Sequence, residues 1–295
     1  MRSPILILER AIAGSAFSIA PERGAELAGA RDSEGFSLAL SDDRHFSIRV
    51  NTVTHEATLP IATLEYLWCC AYIFYVMYQE YVKAQSSGMS TLDLASVPRV
   101  VRAIRVLNWA ARNMRESGVR KWPMAAPRPK KYPKYASDAH VANEIFLAAI
   151  AWIIHHEIAH VRLQHIKMHA IYTIQQEREA DLAATDWILH SPRNADEAQK
   201  RQLGMVTAIL AMQLLDEPKG DNSYVSSHPA AAERLDYVLD RAKVADDSVV
   251  CGFAAATMQY HLTQLGIKQE LDGTSIRDIL AGFMLAFTTA GRARA

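Results

Sequence analysis

The residues best placed to do chemistry lie in Ala151-Trp152-Ile153-Ile154-His155-His156-Glu157-Ile158-Ala159-His160, inside an apolar run that begins near Glu144. Ser137 or Asp138 offers an N-cap, and no Gly or Pro follows until well past His160, so the stretch reads as a helix. At ~100° per residue, His156 and His160 point ~40° apart, one above the other, and Glu157 flanks the same face. This is the H-E-x-x-H spacing. Two neutral imidazoles can hold a zinc ion, and the Glu can handle protons for the attacking water. The ordinary alternatives are a chance match in a chain with 11 His, or two core imidazoles satisfied by hydrogen bonds.

A catalytic zinc site needs a third protein ligand and an open fourth position. Gln176-Glu177-Arg178-Glu179-Ala180-Asp181 supplies the candidates. Glu177 and Asp181 are four apart and share a helical face, so Glu177 could bind the metal while Asp181 accepts the second ring N–H of a ligating His. Seventeen residues of straight helix would carry Glu177 ~25 Å beyond His160, so the chain must reverse between about Gln164 and Ile174. Thr173-Ile174-Gln175-Gln176 fits a capping box that starts a second helix, although no Gly or Pro marks the turn itself. Alone, Glu177 and Glu179 would read as a solvated face paired with Arg178; downstream of H-E-x-x-H the ligand reading of Glu177 is the better one. His165 lies ~140° round the helix from His160, and His155 and His169 also fall off the ligand face. All three read as surface or packing residues, and Tyr172 carries no specific signal.

H-E-x-x-H followed by E-x-x-A-D resembles the gluzincin metallopeptidases, including the HtpX-like and CAAX-processing enzymes. Those often carry a later His-Pro with a following Arg, matched here by Ser227-His228-Pro229-Ala230-Ala231-Ala232-Glu233-Arg234. A broader resemblance is to the Lit-like phage-exclusion proteases. It rests on Met1-Arg2-Ser3-Pro4-Ile5, Phe17-Ser18-Ile19-Ala20-Pro21-Glu22, Phe46-Ser47-Ile48-Arg49-Val50, Leu64-Glu65-Tyr66, the block from Glu144 to His165, Glu177 to Asp181, and His228-Pro229. Residues from about Ser191 to Asn222, and from Lys243 onward, carry no match. The resemblance implies a zinc endopeptidase of bacterial abortive infection that cleaves translation elongation factor Tu, with a segment of the phage major head protein as activator.

In that mechanism Zn2+ sits on His156, His160 and Glu177, with Asp181 behind, and Glu157 acts as base. His228 is the candidate for one further oxyanion donor, the plainer reading being a residue that caps a helix start. Two other function classes compete: a gluzincin peptidase of different specificity, and a metal-stabilised interaction or sensor protein without turnover.

The bulk properties fit such an enzyme without demanding it. Half of the 295 residues are hydrophobic, 22% are charged and the formal net charge is zero, so no global field draws the chain to nucleic acid or an acidic membrane. Three Cys, two of them adjacent at Cys69-Cys70, leave no disulfide framework and suit a reducing interior. Glu9 and Arg10 interrupt Ile5–Leu8 before a signal-peptide core could form. Ile61 to Tyr78 is the one membrane candidate, but it is slightly short and rich in Tyr, which favours a buried aromatic helix. A cytoplasmic location is expected, the alternative being the inner face of the cell membrane.

The expected fold is mainly α (α+β), a gluzincin-like helical core with a small N-terminal β-hairpin or sheet. Residues 1–58 hold the strands. A hairpin is expected from Phe36–Leu40, a Ser41–Arg44 turn and His45–Thr54, one edge of which could align an extended substrate. Residues 59–118 form a helical subdomain whose Arg99, Arg102, Arg105, Arg112 and Arg115 read as a solvated face. Residues 119–136 form a Pro-rich basic linker, read as a stiff exposed connection ahead of a contact surface for an acidic partner. Residues 137–295 form the helical metallopeptidase core.

Overall fold

A computed structural model describes residues 3–27, 37–44, 46, 48–51, 56–89, 93–115, 121–166, 172–215, 229–267 and 273–293. A 3-10 turn, Pro4–Leu8, runs into α1 (Glu9–Ser18). Three short strands follow, β1 (Ser37–Ser41), β2 (Arg49–Asn51) and β3 (Glu56–Pro60). Eight longer helices follow among the described residues: α2 (Ile61–Ser86), α3 (Pro98–Arg115), α4 (Asp138–Arg162), α5 (Ile174–Ile188), α6 (Ala195–Leu215), α7 (Ala231–Arg241), α8 (Val249–Gln264) and α9 (Ile276–Ala293). The protein is mainly α with a small β part.

The sheet is not the expected hairpin. Its order is β1-β3-β2, with β3 parallel to β1 and antiparallel to β2. The physical reason is burial. Ala57 and Leu59 of β3 are fully buried whereas β1 is half-exposed, so the more buried strand takes the centre, where both of its edges are paired. Pro60 cannot donate to a ladder, so it ends β3 and hands the chain directly to α2. β2 remains an edge strand and packs against α4.

Helix α4 is the hub, lying against α1, α2, α5 and α6. Ser137 caps it, its hydroxyl accepting from the His140 N–H. α6 comes so close that a Cβ on Gly204 would stand 2.4 Å from the Ala148 Cβ and 2.8 Å from the Ala149 backbone nitrogen. Only glycine allows that approach. Both α2 and α4 are long and apolar enough to cross a membrane, whereas the sequence pointed to α2 alone; 83% of the most apolar window of each is buried inside the protein. Cys69, Cys70 and Cys251 are free and buried.

Arg99 does not join a solvated face. It binds Asp138 at 2.6 Å and Glu80 at 3.0 Å, tying α2, α3 and α4 together. The basic connection is strapped down rather than loose. Trp122 sits against Trp109 and Trp68 and donates to the Pro127 carbonyl at 3.0 Å. Asn143 of α4 donates to the Lys130 carbonyl at 2.9 Å. Lys121, Arg128, Lys130, Lys131 and Lys134 point outward.

Candidate metal centre

Two devices fold Glu177 back onto the H-E-x-x-H helix. The first ends α4. Gln164 takes φ 54°, its N–H bonds the Val161 carbonyl at 3.0 Å, and the His165 N–H bonds the His160 carbonyl at 2.9 Å. This is the Schellman pattern, which places the residue after the left-handed position against the residue five back. Glycine is the usual occupant of that left-handed position, so the turn the distance demanded carries no local mark. The second device is the capping box at Thr173. The Thr173 hydroxyl accepts from the Gln176 N–H at 3.2 Å, and the Gln176 side chain accepts from the Thr173 N–H at 2.9 Å, starting α5 where the sequence expected it.

The reversal brings three ligand atoms together. Nε2 of His156 lies 3.1 Å from Nε2 of His160 and 3.2 Å from Oε2 of Glu177, with 3.8 Å closing the triangle. All three side chains are buried. An ion with tetrahedral bonds of ~2.0–2.1 Å holds its ligand atoms about 3.3 Å apart, so this triangle has the size a zinc-like cation needs. Two imidazoles and a carboxylate are also the donor types such a cation takes. This group could hold a metal ion.

Protonation supports that use. Nδ1 of His156 lies 2.8 Å from Oδ1 of Asp181. The Asp181 carboxylate accepts from Arg234 through Nη2 at 2.7 Å and Nε at 2.8 Å, and from the Tyr237 hydroxyl. Burial works to raise the Asp181 pKa, but Arg234 and His156 hold it well below the usual carboxylate range. An ionised carboxylate only accepts, so a His156 ring bearing a single proton keeps it on Nδ1, beside Asp181, and turns a bare Nε2 toward the centre. Without a cation, burial pushes His156 down, yet Asp181 and Glu177 outweigh it and lift the pKa to about 9. The pocket is negative enough to draw in a proton and fits a cation for the same reason. His160 goes the other way, to about 4, because burial dominates the pull of Glu177.

Glu157 is buried beside this group, and its charge adds to the proton affinity of His156. The ring of Tyr172 lies flat on His160, 3.7 Å between centroids and 5° between planes. Burial first, then the charges of Glu157 and Glu177, push its phenol pKa up and keep it an O–H donor. His155 lies off the ligand face, as its position on the helix predicts, and packs against α1. It is stacked on Trp187, with Nε2 3.0 Å from the Ala16 carbonyl, and burial drives its pKa to about 3.

His165 departs from the sequence reading. The Schellman turn folds it under the helix, Nδ1 to Nδ1 with His160 at 2.9 Å, instead of away from the centre. His228 and His169 lie outside the described residues. Sequence reasoning also missed the clamp on Asp181. In the sequence Arg234 reads only as part of the later His-Pro motif, and Tyr237, three residues on along the same face of α7, is the signal that could complete it.

Comparison with known proteins gives the family. The Peptidase U49 family model matches residues 58–254, a span that holds the whole centre. The chain is 37% identical over 289 residues to the "Cell death peptidase" of Escherichia coli (strain K12), covering 96% of this chain and 97% of that protein. No solved structure matches. The chain belongs to the Peptidase U49 family, and is a protease by that membership.

Proposed function

We propose that this protease is a zinc-dependent endopeptidase in which His156, His160 and Glu177 hold the ion and Glu157 is the general base. The observation that carries the reading is the buried triangle of two imidazole nitrogens and one carboxylate oxygen, with Nδ1 of His156 2.8 Å from Asp181. A bound zinc ion supplies a Lewis acid that lowers the pKa of water toward ~7 and polarises the scissile carbonyl. Glu157 takes the proton from the attacking water on a carboxylate oxygen and passes it to the leaving amide nitrogen. Asp181 keeps the His156 ring in register through Nδ1, and Arg234 keeps Asp181 ionised. The Tyr172 hydroxyl is one candidate donor to the developing oxyanion, and His228, just ahead of α7, is the other.

The substrate assigned is translation elongation factor Tu, cleaved in the cytoplasm on phage infection with a segment of the phage major head protein as trigger. The Lit-like sequence blocks and the extended identity to a cell death peptidase support that choice. The burial of the apolar faces of α2 and α4 within the fold supports the location.

Purified protein added to a bacterial lysate, with and without phage-infected extract, should give new elongation factor Tu termini by mass spectrometry. The Glu157→Gln variant should keep its zinc and lose about 10²–10⁴-fold in cleavage rate. Full activity in that variant removes Glu157 as base. New termini in other proteins alone would leave the peptidase and change its substrate.

A further inference from the structure

The two imidazoles of the centre are backed in different ways. His156 meets a carboxylate directly, whereas His160 meets another imidazole. His160 Nδ1 faces His165 Nδ1 at 2.9 Å, and His165 Nε2 faces Glu179 Oε2 at 3.2 Å. Gln175 donates to the other Glu179 oxygen at 2.8 Å and steadies it. Glu179 lies about 200° round α5 from Glu177, so it cannot face the centre itself and reaches it only through the folded-back ring of His165.

We propose that Glu179 and His165 are positioning residues, a hydrogen-bonded arm that fixes the tautomer of His160 and presents its Nε2 to the metal. This rests on the zinc-centre reading given above. The proton count runs inward from the surface. The Glu179 carboxylate only accepts, so a His165 ring bearing a single proton keeps it on Nε2 and leaves Nδ1 bare. That bare nitrogen must accept, so His160 donates from Nδ1. Its Nε2 is then unprotonated where it meets His156 and Glu177. Without Glu179 the opposite order becomes equally available. His165 would donate from Nδ1, and the His160 proton would move to Nε2, inside the metal triangle, where it blocks ligation. The Schellman turn explains why this arm exists, because the contact it makes between its first and last residues is here made by two imidazoles.

The test measures zinc affinity by chelator competition together with the ¹⁵N shifts of His160 in the metal-free protein at pH 7.5. Wild type should show His160 protonated at Nδ1. His165→Phe should weaken zinc binding about 10–100-fold, the range for loss of a partner behind a metal ligand. His165→Asn, whose amide oxygen can accept where Nδ1 did, should recover most of that loss. Glu179 is half-exposed, so Glu179→Ala should fold normally, populate both His160 tautomers and weaken zinc by several-fold. His160 protonated at Nε2 in wild type, no affinity change in His165→Phe or Glu179→Ala, or no recovery in His165→Asn each overturns the arm. Failure of wild type to bind zinc at all would instead sink the zinc-centre reading, which separates the two.

Discussion

Arg234 and Asp181 form a buried bidentate pair, with 4% and 0% of their surfaces exposed, and Asp181 in turn holds His156. Replacing Arg234 with Leu leaves the carboxylate in the core with only Tyr237 and the His156 ring as partners. Breaking one side of a buried pair typically costs about 3–5 kcal/mol. The two remaining partners argue for the lower end, about 3 kcal/mol. Protonating the carboxyl is no cheaper escape, since at pH 7.5 that costs about 5 kcal/mol for a group of ordinary pKa. At roughly 2 °C per kcal/mol for a chain of this size, thermal unfolding should fall by about 6 °C. Zinc affinity should also fall by about 10–100-fold, because the residue fixing His156 has lost its own anchor. The double variant Arg234→Leu with Asp181→Leu separates the two effects. Removing both charges should recover most of the stability but not the zinc affinity, because nothing then sets the His156 tautomer. Differential scanning calorimetry and chelator competition on the three proteins provide the readouts. A single variant within 1 kcal/mol of wild type, or a double variant that regains zinc binding, would refute the reasoning.

Two other perturbations probe the scaffold. Gly204→Ala sets a methyl 2.4 Å from the Ala148 Cβ and 2.6 Å from the Ala148 carbonyl carbon, atoms that cannot yield without parting α6 from α4. Overpacking of about 3 kcal/mol, less a helix-propensity gain of about 1, predicts a net loss near 2 kcal/mol in urea unfolding, and a more stable Ala variant would contradict the close approach. His155 has a folded-state pKa of about 3, below its unfolded value, so its contribution is fully present above pH ~6.5 and is lost as pH falls toward 3. His155→Gln, which can still donate to the Ala16 carbonyl, should lower the slope of stability against pH between 6 and 4 by up to about 1.4 kcal/mol per pH unit; identical slopes would show that His155 is not buried neutral.

What the sequence made legible here was local, and what it hid was long-range. The spacing of His156 and His160 on one helix face and the Thr173–Gln176 capping box are both set by residues within four positions of one another, and both stand where the sequence put them. The turn between them was demanded by distance, but its exact place was unmarked because Gln164 takes a left-handed φ that sequence reasoning reserves for Gly or Asn. With the start of the turn unplaced, helical projection carried His165 to the wrong side, since a helix that ends at Arg162 cannot be extrapolated to position 165. The sheet failed for a related reason. β1 and β2 were paired because they are neighbours along the chain, but the buried Ala57 and Leu59 decide which strand takes the centre. The Asp181 clamp arrives from α7, more than fifty residues away, and no periodicity within α5 announces it. The same contrast bears on function. Glu177, Glu179 and Asp181 alternate along one helix, yet the first meets the centre directly, the third through His156, and the second only through His165. Three acids within five residues of one helix therefore take three different roles, set by which imidazole the surrounding fold delivers to each.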